Sequence, residues 1–249
     1  MASLEEAHWW YRGLHHLVTG LVAAEHAPKG SLDILDAGCG TGRLCRLMAP
    51  FGTVTGCDVS DLALQLCRES GTDNVFKVDL NSADLGRERY DVITCMDVLY
   101  HRAIEREDVV LSSFHRALRP GGVVLLNLVA FESLKSSHDI AVHTRRRYRR
   151  HEVVHLLQEA GFTVRFCSYR LFLLFPLIVV YRSLRSFLGC KGNQDHVVSD
   201  LRLPPRLTNR LLESALRLEN RFIDRLPFPF GLSVFAVAEK QDSEKGVQC

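Results

Sequence analysis

Runs rich in Val, Ile and Leu recur along this chain, and most are followed by a stretch with apolar residues at three and four spacing. The runs are LDILDAG (32–38), TVTGCDV (53–59), NVFKVDL (74–80), YDVITCMDV (90–98) and GGVVLLNLVA (121–130). RLCRLMAPF, SDLALQLCRESG and REDVVLSSFHRALRPGG read as helices between them, with Ser60 or Asp61 able to cap the second. Strands alternating with helices predict an α/β fold, and runs this apolar predict a mostly parallel sheet buried on both faces. RRHEVVHLLQEAGF then reads as a helix stopped by Gly161, and TVRFCSYR (163–170) and LSVFAVAEK (232–240) as two further strands, the second closing the sheet.

The stretch 171–231 between those last two strands has a different texture. It opens with LFLLFPLIVVY, passes through a polar segment with Pro204 and Pro205, and continues as RLTNRLLESALRLENRFIDRL, a Leu/Arg helix. A connection that long has its own structure, so a helical cap inserted before the last strand is expected. The apolar run is too short to cross a bilayer, which takes ~20 residues as a helix. Residues 171–188 therefore read either as a core helix bent at Pro176 or as a peripheral contact with a membrane.

The eight cysteines never form a C-x-x-C pair and read as free thiols of a reducing compartment. MASLEEAHWWYRG lacks the basic-then-apolar pattern of a secretory signal, and Cys249 stands too late for prenylation. Cytoplasmic residence, with or without peripheral membrane contact, is the expectation. Charges of 31 Lys plus Arg against 29 Asp plus Glu give no global pull toward nucleic acid. Nothing in the pattern sets an oligomeric state.

The loop after the first strand carries Gly38, Gly40 and Gly42 in a G-x-G-x-G spacing. The dinucleotide fingerprint would need its third glycine at Arg43, and a triphosphate loop would end in G-K-[ST], so neither ligand fits. Ligands of open parallel sheets bind at the carboxyl ends of the strands. Asp58 ends the second strand, where a carboxylate can accept from ribose hydroxyls, and Asp79 ends the third.

LDILDAGCGTG, the acidic end of TVTGCDVS, the KVDL aspartate, YDVITCMDVLYH and LRPGGVVLL together resemble the class I S-adenosylmethionine-dependent methyltransferases over residues 30–170. That resemblance implies a Rossmann-like fold with a seven-stranded, mostly parallel sheet, helices on both faces and a helical insertion before the last strand. It implies one domain: an N-terminal lid helix at 1–29, a cofactor-binding core at 30–170, the cap at 171–231, the last strand at 232–240 and a flexible tail at 241–249. S-adenosyl-L-methionine is the implied cofactor. Asp36, Ala37, Gly38, Cys39, Gly40 and Gly42 would line its methionine part, Asp58 and Val59 its ribose, Asp79 and Leu80 its adenine, and Met96 the sulfonium. EEAHWWYRGLHHLV and HDIAVHTRRRYRRHEVVHLLQEAGF are similar to a bacterial subgroup whose N-terminal helix covers the cofactor. Trp10 and Arg12 are then lid contacts, or else anchors of that helix to the core.

A base is needed only where the nucleophile must shed a proton as it attacks. Tyr100 and His101 follow the fourth strand, and His101 is the leading candidate. His138 and His143, with Asp139, form a second wall of the same mouth. They read as base or substrate contacts rather than a metal site, which lacks a further ligand at closed spacing. Arg145, Arg146 and Arg147 precede Tyr148, and Arg149 and Arg150 follow it. This run reads as a solvated helix entrance, or as a clamp in which Asp139, Arg146, Arg147 and Tyr148 hold a phosphate or carboxylate. The expected activity is methyl transfer to a small-molecule or lipid-linked acceptor, anionic if the clamp reading holds. The alternatives are a nucleic-acid methyltransferase, disfavoured because CMDVLY lacks an Asn/Asp-Pro-Pro-aromatic motif, and a non-catalytic cofactor-binding or membrane-associated scaffold.

Overall fold

A computed structural model of the chain describes residues 2–135, 139–140, 142–176 and 203–241. His138, Cys190, Cys249, residues 177–188 and nearly all of the expected tail lie outside the described residues. Seven strands form one sheet: β1 (Leu32–Ala37), β2 (Gly52–Asp58), β3 (Val75–Lys77), β4 (Tyr90–Met96), β5 (Leu118–Val129), β6 (Phe162–Arg170) and β7 (Ser233–Lys240). Their order is β3-β2-β1-β4-β5-β7-β6, with β7 antiparallel to both neighbours and the other pairings parallel. Strand order reverses at β1, which pairs with β2 on one side and β4 on the other, so the crevice of a doubly wound sheet opens above its carboxyl end.

The helices are α1 (Ala2–Ala7), α2 (Trp9–Lys29), α3 (Arg43–Met48), α4 (Asp61–Glu69), α5 (Glu107–Ala117), α6 (Arg150–Glu159) and α7 (Arg206–Asn220). Ser60, not Asp61, caps α4, its hydroxyl accepting from the Ala63 amide at 3.3 Å. The sheet is covered on both faces. Leu14, Leu17, Val18 and Val22 of α2, with Leu44 and Met48 of α3, bury one face against Ile34, Val92 and Phe235. Val110, Leu111 and Phe114 of α5, with Val153 and Leu157 of α6, bury the other against Leu35, Ile93 and Leu126. Residues 118–120, expected at a helix end, instead open β5, because Leu118 pairs with Tyr90 at the bottom of the sheet. The third strand is shorter than expected, ending at Lys77, and leaves Asp79 in a turn.

The helical part of the cap is α7, and it packs along α2 rather than on the sheet. Gly13 makes that approach possible: a Cβ there would lie 2.5 Å from Leu216 Cδ1. The Asn220 amide donates to the Gly13 carbonyl at 2.8 Å, and Asn209 both accepts from the Trp9 amide at 3.0 Å and donates to the Ala7 carbonyl at 2.8 Å. Helices α2 and α7 are thus sewn together into a roof beside the crevice. Among the described residues no helix is long and apolar enough to cross a membrane. The cysteines at 39, 45, 57, 67, 95 and 167 are free thiols.

Candidate active site

The glycine loop lies at the carboxyl end of β1, tied down from below. The Gly38 and Cys39 amides both donate to the Cys57 carbonyl at the end of β2, at 2.7 and 3.0 Å. Gly38 has φ +80°, and a Cβ there would sit 2.3 Å from Val98, so no side chain fits. Gly42 packs on the rear of the loop against Cys67 and Thr72 of the α4 side. Gly40 is the opposite case: at φ +53° a Cβ would meet nothing within 4 Å, so the loop opens onto free volume at that residue. Asp58 stands beside this opening, one oxygen accepting from the Gly40 amide at 3.1 Å and the other from the Ser60 amide at 2.9 Å. A carboxylate has about four lone pairs, so Asp58 retains acceptor capacity for hydroxyl groups. A cradle with an acidic rim suits a ligand that carries a sugar and a positive charge.

Asp36 is differently placed. It is buried beneath the loop, and its carboxylate accepts from the Thr94 hydroxyl at 2.7 Å and the Cys45 thiol at 3.3 Å. Burial pushes its pKa up to about 6 against the pull of those two hydrogen bonds. It supports the loop rather than facing the opening. Ala37 and Leu80 are core residues, while Cys39 joins Cys45, Leu64 and Cys67 in a small cluster under α4. Val59 is exposed at the rim. Asp79 closes a turn by accepting from the Asn81 backbone and side-chain amides at 2.9 and 2.8 Å, and Asn81 in turn donates to the Ala103 carbonyl, joining the β3 end to the loop after β4.

The expected lid contacts need correction. Arg12 pairs with Glu213 of α7 at 3.0 Å, and Trp10 packs with Trp9 on the cluster formed by Leu171, Leu174 and Leu216. Both face the cap, so they anchor the N-terminal helix. The crevice side of the roof is formed by other residues. The Thr41 hydroxyl of the loop donates to Glu5, Arg43 pairs with Glu6 at 3.7 Å, and Tyr11 and His15 lie one turn apart with ring centroids 6.2 Å from each other. Burial, then the charges of Asp97 and Glu5, push the Tyr11 phenol up to about 12; burial, then Arg43, push His15 down to about 4. The signal for these contacts was the i, i+4 spacing of Tyr11 and His15 on a helix.

At the carboxyl end of β4, Met96 pairs in register with Asn127 of β5. The next residue, Asp97, takes the left-handed conformation at φ +61°, where a residue other than glycine is strained. Its carboxylate accepts from the Asn127 side-chain amide at 2.8 Å. Arg170 Nη1 donates to the Asn127 oxygen at 3.2 Å, and among the described residues Arg170 Nε and Nη2 have no hydrogen-bond partner. Desolvation lifts the Asp97 pKa to about 6, against the Asn127 hydrogen bond and the Arg170 charge, and burial lowers Arg170 to about 10. Tyr100 is buried, and its phenol is raised well above the ordinary value by burial and then by the nearby charge of Asp97. The sequence reading missed Asp97, a carboxylate placed directly after β4, a largely buried strand.

His101 and His143 are brought together, ring centroids 5.6 Å apart and edge to face, by the backbone pairing of His101 with Thr144. His101 Nδ1 accepts from the Ala103 amide at 3.1 Å. In the neutral ring the proton then sits on Nε2, which makes His101 a hydrogen-bond donor and not a base.

The arginine run is not an acceptor clamp. Arg147 is buried and forks onto Asp139, with Nε and Nη2 at 2.8 and 3.0 Å from the two carboxylate oxygens, while its Nη1 donates to the Ala130 carbonyl. Arg145 and Arg146 both pair with Glu107, which also accepts from the buried Tyr148 hydroxyl at 2.6 Å, and Arg146 stacks over the Tyr148 ring at 4.3 Å. These groups hold the segment to the end of β5 and the start of α5. Arg147→Ala leaves Asp139 buried without its main partner, and the expected loss of stability is about 3–5 kcal/mol in denaturant melts. A loss under about 1 kcal/mol would place the pair among surface ion pairs instead.

A family model described as a methyltransferase domain matches residues 7–165. Ubiquinone biosynthesis O-methyltransferase of Klebsiella pneumoniae is 31% identical over 136 residues, 49% of this chain and 55% of that protein. The protein of the same name from Bordetella bronchiseptica is 32% identical over 136 residues, 49% of this chain and 56% of its own. The chain thus spans about half the length of these curated relatives. Among solved structures, an S-adenosylmethionine dependent methyltransferase from Mesorhizobium loti superposes with TM-score 0.58 at 18% identity, covering 88% of this chain and 96% of that one. Phosphoethanolamine N-methyltransferase 2 of Haemonchus contortus in complex with S-adenosyl-L-methionine gives 0.54 at 20% identity, covering 90% of this chain and 53% of that one. Both likenesses are of fold.

Proposed function

Because the chain belongs to the methyltransferase domain family, we propose that it uses S-adenosylmethionine to methylate a hydroxyl oxygen on a small, largely apolar or lipid-linked acceptor. The cofactor supplies a methyl group already activated by its sulfonium, so the protein has mainly to align, desolvate and manage a proton. The residues fit that cofactor. Gly38 and Gly40 keep side chains out of the cradle, Asp58 offers a carboxylate to ribose hydroxyls, Val59, Asp79 and Leu80 border the adenine end, and Met96 stands nearest the acceptor side.

The observation that carries the oxygen-methylation reading is Asp97. A hydroxyl, unlike a neutral amine, must give up its proton as it attacks, and a half-buried, desolvated carboxylate with a pKa of about 6 is ionised at neutral pH yet basic enough to receive it. Tyr100 donates a hydrogen bond that orients the acceptor, and His101, with His143 behind it, donates from the rim. Residues 1–29 serve as lid, 30–170 as the cofactor core and 171–231 as cap over the acceptor. The names of the curated relatives, O-methyltransferases of ubiquinone biosynthesis, support an O-methyl product. Incubating the protein with the cofactor and matched panels of phenols, catechols and amines, with mass spectrometry of the products, tests this. Methylation confined to the amines would sink the hydroxyl reading.

A further inference from the structure

The outer face of α7 is unusual for a helix with an otherwise well-packed inner side. Leu216 is buried in the seam with α2, yet Leu207, Leu211 and Leu218 are 72%, 63% and 54% exposed, and Phe222 and Leu226 just beyond the helix are exposed as well. Spacings of four, seven and four residues put Leu207, Leu211, Leu218 and Phe222 on one stripe. Isolated exposed leucines need no account, but a stripe of this length does.

The exposed charges beside the stripe are mostly positive, with Asp224 the exposed acid among them. Arg206, Arg210, Arg217, Arg221 and Arg225 are all exposed, whereas two of the three carboxylates in this stretch, Glu213 and Glu219, are buried. Glu213 is engaged by Arg12 and Arg217, and Glu219 by the Leu171 and Leu173 amides. Among the described residues Arg206, Arg210, Arg221 and Arg225 form no ion pair. An outward apolar stripe flanked by five exposed arginines, with Glu213 and Glu219 turned inward, complements a surface that is apolar just below a negatively charged layer.

We infer that the outer face of α7 docks the protein on an anionic lipid bilayer. The membrane-facing element is then α7; at the start of 171–188, Leu171 and Leu174 are buried against Trp9, Trp10 and Leu216, while Leu173 is exposed. The inference shares with the proposed function only the lipid character of the acceptor. Because α7 is sewn to α2, docking sets the roof of the crevice against the bilayer, the side from which a lipid-linked acceptor arrives.

The test is flotation of the full-length chain with vesicles of phosphatidylcholine alone or of phosphatidylcholine with a quarter phosphatidylglycerol. Binding to the anionic vesicles is expected to exceed binding to the neutral ones by on the order of tenfold at low salt and to fall as salt is raised. Leu207→Gln with Leu211→Gln and Leu218→Gln is expected to abolish flotation while leaving the melting temperature and cofactor binding unchanged. Those two measurements separate failure of docking from failure of the methyltransferase site. Absence of binding by the unaltered chain, or equal binding by the triple variant, overturns the inference. So does a lowered melting temperature, which would mean the leucines are packed within the chain. A change from dimer to monomer in the variant overturns it in favour of a second copy as the occupant.

Discussion

Gly40→Arg is expected to weaken binding of S-adenosylhomocysteine by at least about a hundredfold in calorimetry, a loss near 3 kcal/mol. The reason is geometric. Gly40 is the glycine of the loop whose missing side chain faces empty space, so an arginine there is housed by the free volume and competes with the cofactor for it. Its left-handed φ of +53° adds a backbone cost of about 1–2 kcal/mol, which lowers the melting temperature by several degrees without unfolding the protein. Gly38→Ala is the informative contrast. There a Cβ collides with Val98, so that variant loses stability together with binding. Undiminished affinity in folded Gly40→Arg would move the cofactor away from the loop altogether.

The second large effect is on the proton. Asp97→Asn keeps shape and the option of pairing with Asn127, but removes the base, and kcat is expected to fall by about 10²–10⁴ with cofactor affinity preserved. The unaltered enzyme should gain activity as pH rises through about 6, where Asp97 ionises, and the variant should lack that limb. Stability moves in the opposite sense. The folded state holds this proton more tightly than the unfolded chain does, so Asp97 contributes stability that is full below its unfolded pKa and is lost as pH rises through about 6. Asn at this position removes that slope. A pH–rate profile and pH-dependent melts on the same two proteins check both signs. If the variant keeps both kcat and the limb, the proton goes elsewhere.

Much of this was legible in the sequence because it depends on local pattern. Buried parallel strands announce themselves as Val, Ile and Leu runs, and a loop that must turn sharply and leave room above itself announces itself in Gly38 and Gly40. The arginine run was not legible. Its meaning depends on Glu107, which comes from another element of the chain, and on Asp139, whose burial no spacing reveals. For Trp10 and Arg12 the sequence left lid contact and anchor both open, for a related reason. Which face of α2 meets the crevice is decided by α7, about 200 residues away in sequence. Asp97 went unnoticed because its importance lies in desolvation and in the bond from Asn127, and both are products of the fold.

The stitching of α2 to α7 also orders events in time. Its hydrogen bonds join residues 200 to 207 positions apart, so closing them costs more chain entropy than any neighbouring-strand contact and they form late. During synthesis α2 emerges long before residues 206–220, so its seam with α7 can close only when most of the chain has been made.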